Sequence, residues 1–244
     1  MTRADLHIHT VLSPCGDVEM TPLKIIDRAV EEGLGVIGIT DHNSTLNCLE
    51  IKNVGEERGV FVLSGAEITT REEVHVLCFV EEEKLSDLQS FIEKSILKIP
   101  NNPEVFGYQL AVNRNEEVVE EVEYLLINAI DKSIEEVCEF IRSLSGIFIP
   151  AHIDKGSNSV YSQLGFLPFG MDADALEVTK NADTSAMTSR DKSIRGRNFI
   201  KSSDAHYPDQ IGSAYTILNM DEFSFSAVKR ALHSTDNQPQ YYIK

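Results

Sequence analysis

Six of the seven histidines in this 244-residue chain fall in five short segments: DLHIH at 5–9, TDH at 40–42, His75, AHID at 151–154 and SDAH at 203–206. Four of these segments also hold a carboxylate and follow or end an apolar run, so their side chains can converge from the ends of buried strands. Imidazole nitrogens and carboxylate oxygens in this number make the donor set of a polynuclear divalent-metal site. In DLHIH, strand alternation sends Asp5, His7 and His9 to one face, where both imidazoles can reach one cation. Asp5 is expected to orient an imidazole from behind rather than to bind metal.

Glu67 closes the run VFVLSGAE and can bridge two cations through its two oxygens; alone it would read as a surface carboxylate. His75 sits among Val74, Val76 and Leu77, a core position in isolation and a ligand candidate in this company. His42 follows VIGIT, His152 follows GIFIPA, and Asp204 with His206 follows NFIKSS. Asp17, in the loop SPCGD beyond His9, is either a solvated turn aspartate or a reach to a metal. His233 has no such surroundings and is expected at the surface.

The elements that must position these groups alternate between short apolar runs and helical stretches, the pattern of parallel strands joined by crossovers. Strands are predicted at 4–8, 36–40, 60–63, 74–80, 147–150, 175–178 and 199–202, with a further one at 214–218. Thr21-Pro22 opens an amphipathic helix ending near Gly33, Ser133-x-x-Glu136 is a capping box, and residues 225–232 make a helix for the outside. Strand ends are where barrels keep their chemistry. Residues 81–131 hold no histidine or other metal-binding segment, and an acidic run at 115–128 reads as helical. That stretch is expected to be a mainly helical insertion, either a crossover helix pair or a lid.

The composition, 42% hydrophobic and 25% charged, is that of one globular domain with no run long enough to span a bilayer. MTRADLHIHT lacks the pattern of a secretory leader, so a cytoplasmic location is expected. Four scattered cysteines without CxxC spacing argue against a zinc ribbon or disulfide framework. A formal charge of −17 with 22 Lys and Arg disfavours a nucleic-acid groove, while bound cations would still admit a small anionic substrate. The oligomeric state is left open.

Taken together, the motifs resemble those of the polymerase and histidinol phosphatase (PHP) domain family of metal-dependent phosphoesterases. They occur in order as DLHIHT, ITDH, Glu67, His75, AHID and SDAH over residues 4–206. The resemblance implies a single α/β domain over 1–244, a distorted seven-stranded (β/α)7 TIM-like barrel carrying two or three divalent ions of zinc, manganese or iron. It implies one cation on His7, His9, Glu67 and Asp204, a second on Glu67, His75 and His152, and a third on Asp17, His42 and His206. The implied reaction is hydrolysis of a small phosphate monoester or nucleotide. Asp17 or His206 would be the proton source, and Asp41 would orient a ligand. Lys155, Lys180 and Arg195, near strand ends, are the candidates for binding the phosphorylated substrate. The competing readings are an exonuclease-like phosphodiesterase and a non-catalytic, metal-stabilised module that binds a phosphorylated ligand.

Overall fold

The computed structural model describes residues 1–233 and a strand at 240–243. Along the chain run β1 (Thr2–Ile8), α1 (Pro22–Glu31), β2 (Val36–Ile39), α2 (Cys48–Arg58), β3 (Phe61–Thr69), β4 (His75–Phe79), α3 (Leu85–Ser95), α4 (Pro103–Phe106), β5 (Leu110–Val112) and β6 (Val118–Glu121). There follow α5 (Ile134–Ser143), β7 (Ile147–Pro150), α6 (Val160–Gln163), β8 (Leu176–Glu177), α7 (Thr184–Arg190), β9 (Phe199–Ile200), β10 (Ala214–Leu218), α8 (Phe225–His233) and β11 (Gln240–Ile243). Pro22 opens α1 as expected, Ser133 and Glu136 form the capping box of α5, and α8 follows β10. No helix among the described residues is long and apolar enough to cross a membrane.

The main sheet has the order β11-β10-β1-β2-β3-β4-β7 and curls into an α/β half-barrel. Its strands are mixed in direction, a correction to the parallel arrangement expected from sequence. The β1–β2–β3 core is parallel, whereas β4 runs antiparallel to β3, β7 to β4, and β10 to β1. The cause is connection length: the turn at 70–74, closed by Glu73 N–H on Thr70 O, makes a hairpin and is too short for a crossover helix. β8 and β9 have two residues each and form their own parallel pair. Backbone bonds join this pair to the sheet, from Asp174 N to Phe148 O and Ile153 N to Glu177 O at one side, and from His9 N to Ala205 O at the other. The described strands therefore make a curled half-barrel sheet whose two sides are linked through the short β8–β9 pair.

Inside the curl the strands lay down an apolar floor of Ala4, Leu6, Leu63, Leu77, Phe79, Ile149 and Ala175. Gly38 and Gly65 make room for the Phe79 ring, since a Cβ at either would lie 2.9 or 2.7 Å from it. Burying that ring completely contributes about 2–3 kcal/mol. Alternation then carries Glu67, four residues beyond Leu63, His75, two before Leu77, and Glu177, two beyond Ala175, to the polar end of the same faces.

Residues 81–131 are less helical than expected. α3 packs Leu88 and Ile92 into the main core, but the stretch at 115–128 contains β6, paired antiparallel with β5. The Asn113 carboxamide accepts from the backbone of Asn115 and Glu117 and sets the turn, and β-branched Val118 and Val119 favour extended chain. The segment packs Val122 and Leu126 on Leu12, and Asn43, next to His42, donates to the carbonyls of Leu126 and Asn128. It forms a wall beside the polar end.

Candidate metal centre

A bulge in β1 sets the first two histidines. Ala4 and Asp5 pair with Val36 and Ile37, but Ile8 pairs with Ile39, so β1 carries one extra residue between Asp5 and Ile8. That shift keeps Leu6 in the floor and still turns His7 and His9 together, their Nε2 atoms 3.2 Å apart. It also removes Asp5 from their face. The Asp5 carboxylate accepts from Ser203 N at 2.9 Å and Gly212 N at 2.8 Å, and burial pushes its pKa up to about 6. The carboxylate that orients His7 is Glu177, 3.0 Å from Nδ1, in place of the expected Asp5.

Five imidazoles surround the Glu67 carboxylate. His75 Nδ1 is 2.8 Å away, His42 Nδ1 and His152 Nε2 3.1 Å, His9 Nε2 3.3 Å and His7 Nε2 3.4 Å. Asp204 Oδ1 stands 3.4 Å from His7 and 3.5 Å from His9. Burial works against the charge of Glu67, yet His75, His7 and His42 hold its carboxyl well below the usual range; Asp204 is held down in the same way by His7 and His9. Burial drives His42 well below the ordinary histidine value, leaving it neutral, and its buried Nδ1 has no hydrogen-bond partner.

Divalent cations fit this arrangement. Neutral imidazoles present lone pairs, and lone pairs facing a buried carboxylate are unfavourable without a positive centre between them. Two donors on one zinc ion, each at about 2.1 Å, stand about 3–4 Å apart, as the His7, His9, Glu67 and Asp204 atoms do. Three sets of donor atoms converge to within 4.8 Å: His7, His9 and Asp204; His42, Glu67 and His75; and His9, Cys15, His42 and His206.

The supporting contacts come from segments flanking the strands. Ser13 Oγ lies 3.0 Å from His9 Nδ1 and donates to Asp41 at 2.7 Å, so Asp41 acts on His9 through a serine. Asp41 also accepts from Thr10 N and Oγ1, which fixes the loop after β1. His152 and Asp204 hold left-handed φ values of 29° and 53°, costing about 1–3 kcal/mol each. His152 is steadied by donating its N–H to Glu177. Burial and the charge of His9 push His206 down to about 4, which makes it neutral near pH 7 and suits it to ligation rather than proton donation.

Asp17 is placed differently from expectation. Its Oδ1 accepts from Glu19 N at 2.8 Å, and its own N–H donates to His206 O, so residue 17 contributes backbone to the site while its carboxylate caps a turn. Cys15, exposed on this loop, brings its sulfur within 4.8 Å of donor atoms of His9, His42 and His206. Lys155 donates to Asp204 Oδ2 at 3.1 Å, and Asp204 outweighs partial burial to keep the ammonium's pKa raised. Arg195 is exposed and bonds Thr188 O, and exposed Lys180 receives Lys201 on its carbonyl; neither contacts the cluster among the described residues. His233 is half-exposed and pairs with Asp174. Sequence reasoning missed Glu177, Ser13 and Cys15. Glu177 had a usable signal, a lone carboxylate within the apolar run ALEV.

Comparison with known proteins bears on both fold and family. The sequence model of the PHP domain matches residues 5–153, and that of the PHP-associated region matches 193–236. A 3',5'-nucleoside bisphosphate phosphatase of Chromobacterium violaceum is 32% identical over 80 residues, 32% of this chain and 27% of that protein. A 5'-3' exoribonuclease of Haemophilus influenzae is 29% identical over 78 residues, 31% of this chain and 27% of that one. The matched stretches thus span just over a quarter of either relative. Among solved structures, the lesion-specific endonuclease of Pyrococcus furiosus superposes with a TM-score of 0.71 at 22% identity, covering 95% of this chain and 56% of that one, a likeness of fold.

Proposed function

The chain belongs to the PHP domain family, and from that premise we propose that it is a metal-dependent phosphoesterase acting on a small phosphate monoester or nucleotide. The observation that carries this reading is the convergence of five imidazoles on one buried carboxylate at 2.8–3.4 Å. His7, His9, Glu67 and Asp204 would hold one cation, and Glu67 with His75 and with His42 or His152 a second. Divalent cations bound there would supply neutralisation of phosphate oxygens and a water of lowered pKa.

The chain's own residues set the rest. Glu177 holds His7 and Ser13 holds His9, so both Nε2 atoms stay directed at Glu67. Lys155, half-exposed and paired with Asp204, would also meet a phosphate oxygen of a substrate bound beside Asp204. The charge of −17 repels a polymer of phosphates, which favours a small ester. Four free thiols suit a reducing cytoplasmic setting.

Chelation of the purified protein should abolish hydrolysis of 4-nitrophenyl phosphate, and added zinc or manganese should restore it. Hydrolysis that survives chelation would overturn the reading. A panel of nucleoside monophosphates, 3',5'-bisphosphates, histidinol phosphate and a short oligonucleotide then separates phosphatase from phosphodiesterase. Turnover of the oligonucleotide alone would favour the exonuclease-like alternative, for which the Haemophilus relative speaks.

A further inference from the structure

The loop that follows β1 is folded so that the sulfur of exposed Cys15 lies beside the histidines. Ser13 N donates to Thr10 O, Gly16 N to Ser13 O, Met20 N to Asp17 O, and Val11 N to Met20 O, which folds 10–20 into consecutive turns. A Cβ at position 16 would stand 2.1 Å from Thr10 O, so only glycine allows the chain to close this tightly. Asp17 N–H on His206 O, 2.9 Å, then locks the loop against the segment carrying Asp204 and His206.

The Cys15 sulfur meets three imidazoles here, those of His9, His42 and His206, with all four donor atoms within 4.8 Å of one another. The His206 ring stacks on His9 at 4.2 Å between centroids, and His42 lies 4.6 Å from His9 on another side. His42 is 8% exposed, and its Nδ1, 3.1 Å from Glu67 Oε2, makes no hydrogen bond. The other three cysteines are buried away from the cluster, Cys48 donating to Gly65 O and Cys138 to Asp172 O.

Resting on the metal-centre reading above, we propose that Cys15, not a carboxylate, is the loop's ligand, so that with His42 and His206 it forms a sulfur-containing cation site beside His9. Coordination replaces the S–H proton by the cation, and the proton leaves to solvent. A thiolate among imidazoles favours zinc or ferrous iron over manganese and magnesium, which prefer oxygen. This part of the centre is accordingly the one exposed to oxidants, because Cys15 is exposed at the surface.

The test is reloading the metal-stripped full chain with cobalt(II) and reading its absorption. The expected result is a near-ultraviolet sulfur-to-cobalt charge-transfer band in the native protein and in Asp17→Asn, lost in Cys15→Ser and in Cys15→Asp, with Cys15→Asp still holding its cobalt. Native protein gives a second measurement independent of any variant: zinc should protect one thiol from iodoacetamide. Bound cobalt without that band, a band that persists in Cys15→Ser, or alkylation unaffected by zinc overturns the role of Cys15 while leaving the metal centre standing. Failure to bind cobalt at all overturns both.

Discussion

Glu67 and Asp174 are both buried carboxylates, 1% and 3% exposed, and both meet histidine, yet they meet the cost of burial in opposite ways. Asp174 is surrounded by protons. Arg142 Nη1 lies 2.8 Å from it, Phe148 N–H donates at 2.7 Å, and His233 closes the far side. Its charge is matched by a guanidinium that cannot lose its proton, so the group ties α5 and α8 to the sheet and needs nothing more. Among the described residues Glu67 contacts no guanidinium; it faces imidazoles, which can be neutral. A histidine beside an aspartate is therefore uninformative until the source of positive charge is identified.

The strongest way to break this contrast is Glu67→Gln. Removing the bridging anion should cost several kcal/mol of charge stabilisation, or about 10³-fold in hydrolysis at 1.4 kcal/mol per tenfold, with metal content falling in parallel by elemental analysis. Glu177→Gln leaves every proposed ligand in place and loosens His7, so metal affinity or activity should fall about 10–100-fold while the fold persists by circular dichroism.

Acid should act on the Glu67 cluster through its histidines. Burial opposes their charge, but Glu177, Glu67 and Asp204 raise His7 well above the ordinary 6.5, and Asp204 and Glu67 raise His9. A raised histidine pKa means that protons compete with metal already above pH 6.5, so affinity falls as pH drops through that range. The expected slope is about tenfold per pH unit for each proton displaced, measured by titration with a metal indicator. Asp174→Asn should change none of this. It strips Arg142, itself partly exposed, of its buried partner and should lower stability by about 2 kcal/mol in urea melts, with hydrolysis and metal content retained.

How far the sequence revealed the site follows from the range of the forces involved. DLHIH, TDH, His75, AHID and SDAH each mark a strand or its end by local alternation, and the structure gathers all six of their histidines around Glu67 and Asp204. The β1 bulge is invisible to alternation, because a register shift depends on the neighbouring strand, and with it went the role expected of Asp5. Asp17 and Cys15 are two residues apart in one loop, and composition favours the aspartate; the turns fixed by Gly16 bring the cysteine sulfur, not the carboxylate, to the histidines. Hairpin geometry at 70–74 and at Asn113 decided strand direction in one case and replaced a helix in the other. Both depend on a few turn residues rather than on hydrophobic pattern.

The clasp between Asp5 and Ser203 joins residues 198 positions apart, and the Ile8–Ala205 bridge lies beside it. Contacts of such long separation form late, because the intervening chain must be ordered before they repay the entropy of closing so large a loop. During synthesis, the polypeptide up to residue 152 can already present His7, His9, His42, Glu67, His75 and His152 while Asp204 and His206 are still to come. Docking of residues 202–205 against β1 should therefore complete the donor set late in folding.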